Sequence, residues 1–251
     1  MTTNIVDIES GQATSDSRWS MSGESHAFPG ENFIIFIDNT GCEKIFRYKD
    51  TVFSFAGHGG LIQKWKKYLL GRCGDEPQYE QEVQGHFLRI DLCITHIKKG
   101  TVHRLPQDPA YYGLRTHFLG TGAIHARECW SVHKCPRLAV ESAKKKDAYS
   151  GGIVKYLVFK NDESNICDSQ TVDVVSQKLT TEGCVMYTND PAGPCIPVQQ
   201  AAERDPAVRA AVQSLQSGAA VAMAPCPGMY GRWSDEDKAE LRRILDEVYA
   251  E

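Results

Sequence analysis

The chain has 251 residues, 41% of them hydrophobic and 24% charged, and a formal net charge of -4. That length permits one large domain or a domain with an appendage, and the absence of a basic excess argues against a phosphate backbone as partner, so no nucleic acid is expected. No stretch approaches the roughly eighteen consecutive apolar residues of a membrane span, so no membrane is expected either, and the start Met-Thr-Thr-Asn-Ile-Val-Asp is unlike a signal peptide.

Residues 3 to 8 and 12 to 16 read as short extended runs around Glu9-Ser10-Gly11, a turn cluster that closes a hairpin. The continuous apolar run 33 to 37 (Phe-Ile-Ile-Phe-Ile) suits a buried strand, and residues 43 to 48 and 51 to 56 flank Lys49-Asp50 as a second hairpin. After Ala56-Gly57-His58-Gly59-Gly60, the residues Leu61, Ile62, Trp65, Tyr68 and Leu69 recur at helical spacing with lysines between them. Residues 75 to 84 read as loop, whereas 87 to 97 and 101 to 105 form a third hairpin around Lys98-Lys99-Gly100. A strand over 117 to 120 leads to Gly120-Thr121-Gly122, followed by helices over 123 to 131 and 136 to 146 and a strand over 153 to 159. Pro191, Pro194 and Pro197 mark a change of character, beyond which 206 to 217 and 235 to 249 read as helices. Ser234 is a suitable N-cap for the last, whose apolar face (Leu241, Ile244, Leu245, Val248) fits either its own subunit or a neighbour.

The nine cysteines are scattered and contain no Cys-x-x-Cys pair, which points to reduced thiols in a cytoplasmic protein. Cys129, His133 and Cys135 have the types of metal ligands, but no second pair follows at suitable spacing; no metal and no cofactor is expected.

The chemistry centres on the N-terminus. Thr2 is small enough for Met1 to be excised, and it immediately precedes a buried strand that would hold the new terminus in place. A free α-amine with a pKa of about 8 can take the proton of the hydroxyl on the same residue, so one residue supplies nucleophile and base. Such chemistry needs a cation, a carboxylate to orient it and backbone N–H donors for an oxyanion. The segments Ser15-Asp16-Ser17-Arg18, Lys44 and Ala56-Gly57-His58-Gly59 supply these types in a plausible order.

The start Thr2-Thr3, Ser15-Asp16-Ser17-Arg18, Lys44, Phe55-Ala56-Gly57 and above all Asp147-Ala148-Tyr149-Ser150-Gly151-Gly152 resemble the motifs of proteasome β-subunits and HslV-like N-terminal-nucleophile hydrolases. The likeness spans about residues 2 to 175 and is nearest to a bacterial proteasome homologue distinct from HslV. It implies an α+β fold, a four-layer αββα sandwich of two antiparallel sheets flanked by helices, over residues 2 to 190, with 191 to 251 as a helical C-terminal extension. It further implies Thr2 as nucleophile, Asp16 and Lys44 as the charged pair beneath it, Gly57 N–H as oxyanion donor, and Asp147 and Ser150 beside the threonine amine. Arg18 and Tyr149 are supports, and Thr121 stands where the family usually has serine. Ser20 is implied in main-chain pairing with an extended peptide, and Trp19, Cys42 and Phe55 around a small apolar first pocket.

The implied activity is a threonine peptidase acting on peptides or unfolded proteins inside a homo-oligomeric double ring of about 12 or 14 subunits, with a separate ATPase as a possible partner. A small-molecule amidase with the same chemistry and a catalytically silent ring-forming scaffold are the alternatives. Residues 22 to 40 and 191 to 251 exceed what the family core requires, and either could cover the site.

Overall fold

The computed structural model describes residues 2–22, 32–71, 74–83, 85–107, 115–190 and 193–250. Part of the long 22 to 40 segment therefore lies outside the described residues. The chain is α+β, with two antiparallel sheets and, among the described residues, seven helices.

The first sheet is built from β1 (Asn4–Asp7), β2 (Gln12–Ser15), β10 (Thr116–Leu119) and β11 (Lys155–Val158), in the order β10-β1-β2-β11. Strand β1 is thus central, with β10 and β2 on either side. The second sheet contains β3 (Trp19–Ser22), β4 (Phe33–Ile37), β5 (Ile45–Tyr48), β6 (Thr51–His58), β7 (Glu80–Val83), β8 (His86–His96), β9 (Thr101–Leu105), β12 (Cys184–Tyr187), β13 (Ile196–Pro197) and β14 (Met223–Ala224). Its main path is β13-β12-β4-β3-β14-β6-β8-β7, with β5 on β6 and β9 on β8.

Alternation along the strands sorts side chains onto separate interiors. Val6, Ala13, Val52, Ala56, Cys93, Leu119 and Leu157 meet in one apolar cluster that draws on both sheets. On the other side of β1, Ile5 packs with Phe118 and with Ala123, Ala126, Ala139, Val140 and Ala143 of α2 (Ala123–His133) and α3 (Pro136–Lys144). Phe53 and Phe55, opposite in facing to Val52 and Ala56, join the largest cluster. That cluster also holds the buried stripes of α1 (Gly59–Leu69), α4 (Val172–Thr181), α6 (Pro206–Gln216) and α7 (Asp235–Tyr249).

The hairpins around 9–11, 49–50 and 98–100 form as the turn residues predict. Residues 80–83, expected within a loop, instead pair with 86–89 as β7, because a neighbouring strand supplies partners that the local polar sequence does not advertise. The segment from 193 onward contributes more than helices. Strand β13 extends the sheet next to β12, and β14 lies inside it. The ambiguous last helix packs on its own chain: Leu241, Ile244 and Leu245 are buried, and Ser234 caps it by accepting from Asp237 N–H at 3.0 Å. The eight cysteines among the described residues are free thiols. No described helix is long and apolar enough to cross a membrane.

His58 caps α1, its Nδ1 accepting from Leu61 N–H at 3.4 Å, while only 5% exposed. Burial, reinforced by Lys64, pushes its pKa down from 6.5 to about 4. The folded state therefore binds this proton less readily than the unfolded chain. Its stabilising contribution is complete above pH 6.5 and is lost as pH falls toward 4, by up to about 3 kcal/mol. Urea unfolding at pH 7 and pH 4.5 will show a loss about 2–3 kcal/mol smaller in His58→Asn, which keeps a capping oxygen without a titrating ring.

Candidate active site around the N-terminal threonine

Strand β1 fixes the first residues. Thr3 O accepts from Asp16 N at 3.0 Å, and Thr2 O accepts from Gly122 N at 3.3 Å. Gly120, at φ +84°, lies so close that an added Cβ would fall 1.9 Å from Thr2 O. Only glycine permits that approach. Thr2 and Thr3 are consequently fully buried, not a fraying end.

Asp16 lies against Thr2 with 1% of its surface exposed. Its Oδ1 accepts from Thr2 Oγ1 at 2.5 Å, Thr3 N–H at 2.8 Å and Lys44 Nζ at 2.9 Å. Its Oδ2 accepts from the N–H groups of Arg18 and Gly151, each at 3.1 Å. Lys44 donates further to Asp16 O at 3.2 Å. Burial pushes the lysine below its usual pKa, against the Asp16 carboxylate, which favours the charged form.

A second chain of polar groups begins on Thr3. Ser150 Oγ donates to Asp147 Oδ2 at 2.6 Å, and the Thr3 and Ser150 hydroxyls are 2.7 Å apart. Ser150 has one hydroxyl proton and gives it to Asp147, so Thr3 is the donor to Ser150. Thr121 Oγ1 also donates to Asp147 Oδ2, at 3.3 Å, so the threonine retains a hydroxyl hydrogen bond at that place. Tyr149 is buried and its N–H donates to Asp147 Oδ1 at 3.3 Å.

Arg18 clamps the loop that carries these residues. Its Nε and Nη2 each donate to Asp38 at 2.9 Å, its Nη1 donates to Ala148 O at 2.7 Å, and its guanidinium lies 3.8 Å above the Phe36 ring. This bidentate, stacked geometry suits arginine specifically. Beside it is a cavity of about 380 Å³ lined by Arg18, Lys144 to Lys146, Asp147 and Ser150.

The structure thus brings together Thr2, Asp16 and Lys44 by direct contact, and Asp147, Ser150 and Thr121 by a second network joined through Thr3. Thr3 and the backbone N–H of Gly151 are members that motif reading did not single out; the hydroxyl of Thr3 was visible, but its direction follows from the alternation of β1. Gly57, at φ +116°, sits in β6 opposite Ile90 of β8 on one side and Ala224 of β14 on the other. Ser20 pairs with Met223 of β14. Trp19, Cys42 and Phe55 belong to the largest core cluster and are at most 4% exposed, with Trp19 Nε1 donating to Cys42 O at 2.8 Å. All three side chains pack into the core. Burial also pushes the Cys42 thiol up to about 12. Among the described residues no group of His, Cys, Asp and Glu is arranged to hold a metal.

No family model matches the chain. No curated protein matches it. Among solved structures it is similar to the one titled "Thiobacillus denitrificans BPH in complex with Epoxomicin", at 17% identity and a TM-score of 0.39, over 62% of this chain and 97% of that one.

Gly120→Ala places a methyl against the Thr2 carbonyl at a positive φ. It will lower the urea-unfolding free energy by at least about 1–3 kcal/mol, with the amide NMR resonances of residues 2–4 shifted most.

Proposed function

We propose that the chain is an N-terminal-nucleophile hydrolase of the threonine peptidase type, with the αββα sandwich of that class and Thr2 as its nucleophile after removal of Met1. The observation that carries this reading is the buried contact series from Thr2 Oγ1 through Asp16 to Lys44 at the head of a central strand. A threonine needed only for packing does not require a buried ion pair, which is costly to desolvate.

In this reading the freed α-amine takes the Thr2 hydroxyl proton as Oγ attacks a peptide carbonyl, and Gly57 N–H receives the developing oxyanion. The amine then returns the proton to the leaving amine, and water hydrolyses the resulting ester. Asp16 orients Lys44, whose positive charge lowers the basicity of the amine. Asp147 and Ser150 stand beside the freed amine and hold the start of β1 through Thr3. Trp19, Cys42, Phe55 and Ser20 border the peptide site. Peptides or unfolded chains are the substrates, in a cytoplasmic ring stack of about 12 or 14 subunits, and a separate ATPase would be needed to unfold compact proteins.

Intact mass will show loss of Met1, and a peptide epoxyketone that captures an N-terminal threonine will add to wild type and not to Thr2→Ala. Retained Met1 rules the mechanism out. Lys44→Ala will abolish turnover and cost about 3–5 kcal/mol of stability, because Asp16 is left buried without its counter-charge. Wild-type turnover will rise with pH to a plateau that begins below the reference amine value of about 8; a plateau beginning above it contradicts the role given to Lys44.

The complete burial of Thr2 favours one second reading, a ring-forming scaffold whose site is silent. Failure of a folded, Met1-free chain to accept the probe under any condition selects it.

A further inference from the structure

Strands β3 and β6 are neighbours in the sheet only through β14. Two strand spacings separate them, about 9.5 Å, which is the width that one extended chain fills. Met223 pairs antiparallel with Ser20 on one side and with His58 on the other, and Ala224 pairs with Gly57. These are the positions assigned above to main-chain pairing with a peptide and to the oxyanion. The register also gives β14 a substrate-like facing. Met223 enters the cluster shared between the sheets, with Val6 and Ala56, while Ala222 and Ala224 enter the cluster of Trp19, Cys42 and Phe55.

We infer that residues 222–224 are an internal pseudosubstrate, a strand of the chain itself that occupies the peptide groove and keeps the peptidase latent until it is displaced. The inference rests on the reading of Thr2 as nucleophile. The seat is specific. Ala222 N–H donates to Ser176 Oγ at 2.8 Å, and Ser176 is itself fixed by donating to Val172 O at 2.8 Å. A Cβ on Gly59 would lie 2.0 Å from Ala222 O, so the glycine at the start of α1 provides the room in which the strand lies. Pro225 has no N–H to continue the ladder, and β14 ends there. On its C-terminal side the segment is tied back by Arg89 N–H to Met229 O at 2.9 Å and by Gly231 N–H to Phe87 O at 2.9 Å.

A tethered strand competes with any incoming peptide, and the apparent affinity for that peptide is reduced by the fraction of molecules in which the groove is open. Loosening the strand therefore raises affinity for a peptide without changing the chemical step.

The test uses the full chain with Met1 removed and measures the rate of epoxyketone addition at Thr2, by intact mass, over a range of probe concentration. Gly59→Ala pushes on the strand from α1, and Ser176→Ala releases it from α4, so the two disturb it independently. Either variant is expected to label at least tenfold faster than wild type at low probe, with an unchanged limiting rate at saturation. In wild type, labelling is expected to remove hydrogen-exchange protection from the amides of 222–224. Wild-type labelling rates in both variants, with 222–224 still protected in the labelled protein, overturn the pseudosubstrate and leave the nucleophile in place. Absence of labelling in all three folded chains overturns both.

Discussion

A carboxylate removed almost wholly from water must recover its lost hydration from donors within reach, and Asp16 does so from five: the hydroxyl of Thr2, the N–H groups of Thr3, Arg18 and Gly151, and the ammonium of Lys44. These donors come from the two residues leading into β1, from the segment between β2 and β3, from the residue preceding β5 and from the Gly-Gly segment before β11. Satisfying this one side chain therefore joins both sheets at the head of the molecule. It also makes the site cooperative, since displacing any one segment leaves the buried charge short of a partner.

The second network is neutral except at Asp147 and runs on the other face of β1. In the segment leading into β1 successive side chains also point in opposite directions, so Thr2 faces Asp16 while Thr3 faces Ser150. The pair of threonines is used on both sides: one hydroxyl stands at the charged pair and its neighbour anchors the strand to the 147–152 loop. Arg18 holds that loop from beyond, using Asp38 and Phe36 of the opposite sheet region as its support.

The C-terminal third of the chain changes the meaning of this arrangement. Its helices complete the largest apolar cluster, and the connection between α6 and α7 runs through the second sheet as β14. Burial of Ala222, Met223, Ala224 and Cys226 secures that connection in place. A segment that looks like an appendage by composition is thus an inner strand of the second sheet, between β3 and β6.

Local chemistry determined much of this in the sequence alone. Hairpin turns at 9–11, 49–50 and 98–100, the apolar stripe of α1 and the Ser234 cap express short-range signals, and motif order placed Asp16 and Lys44 near Thr2, whereas Asp147 and Ser150 meet Thr3. Strand β7 escaped because its polar residues form a strand only when β8 offers a ladder. The contact of Thr3 with Ser150, the burial of Trp19, Cys42 and Phe55, and the seat of Met223 and Ala224 were likewise decided by tertiary structure. A two-residue strand has no periodicity to read, and the gap it fills exists only once β3, which ends at Ser22, and β6, which begins at Thr51, have been brought to about two strand spacings.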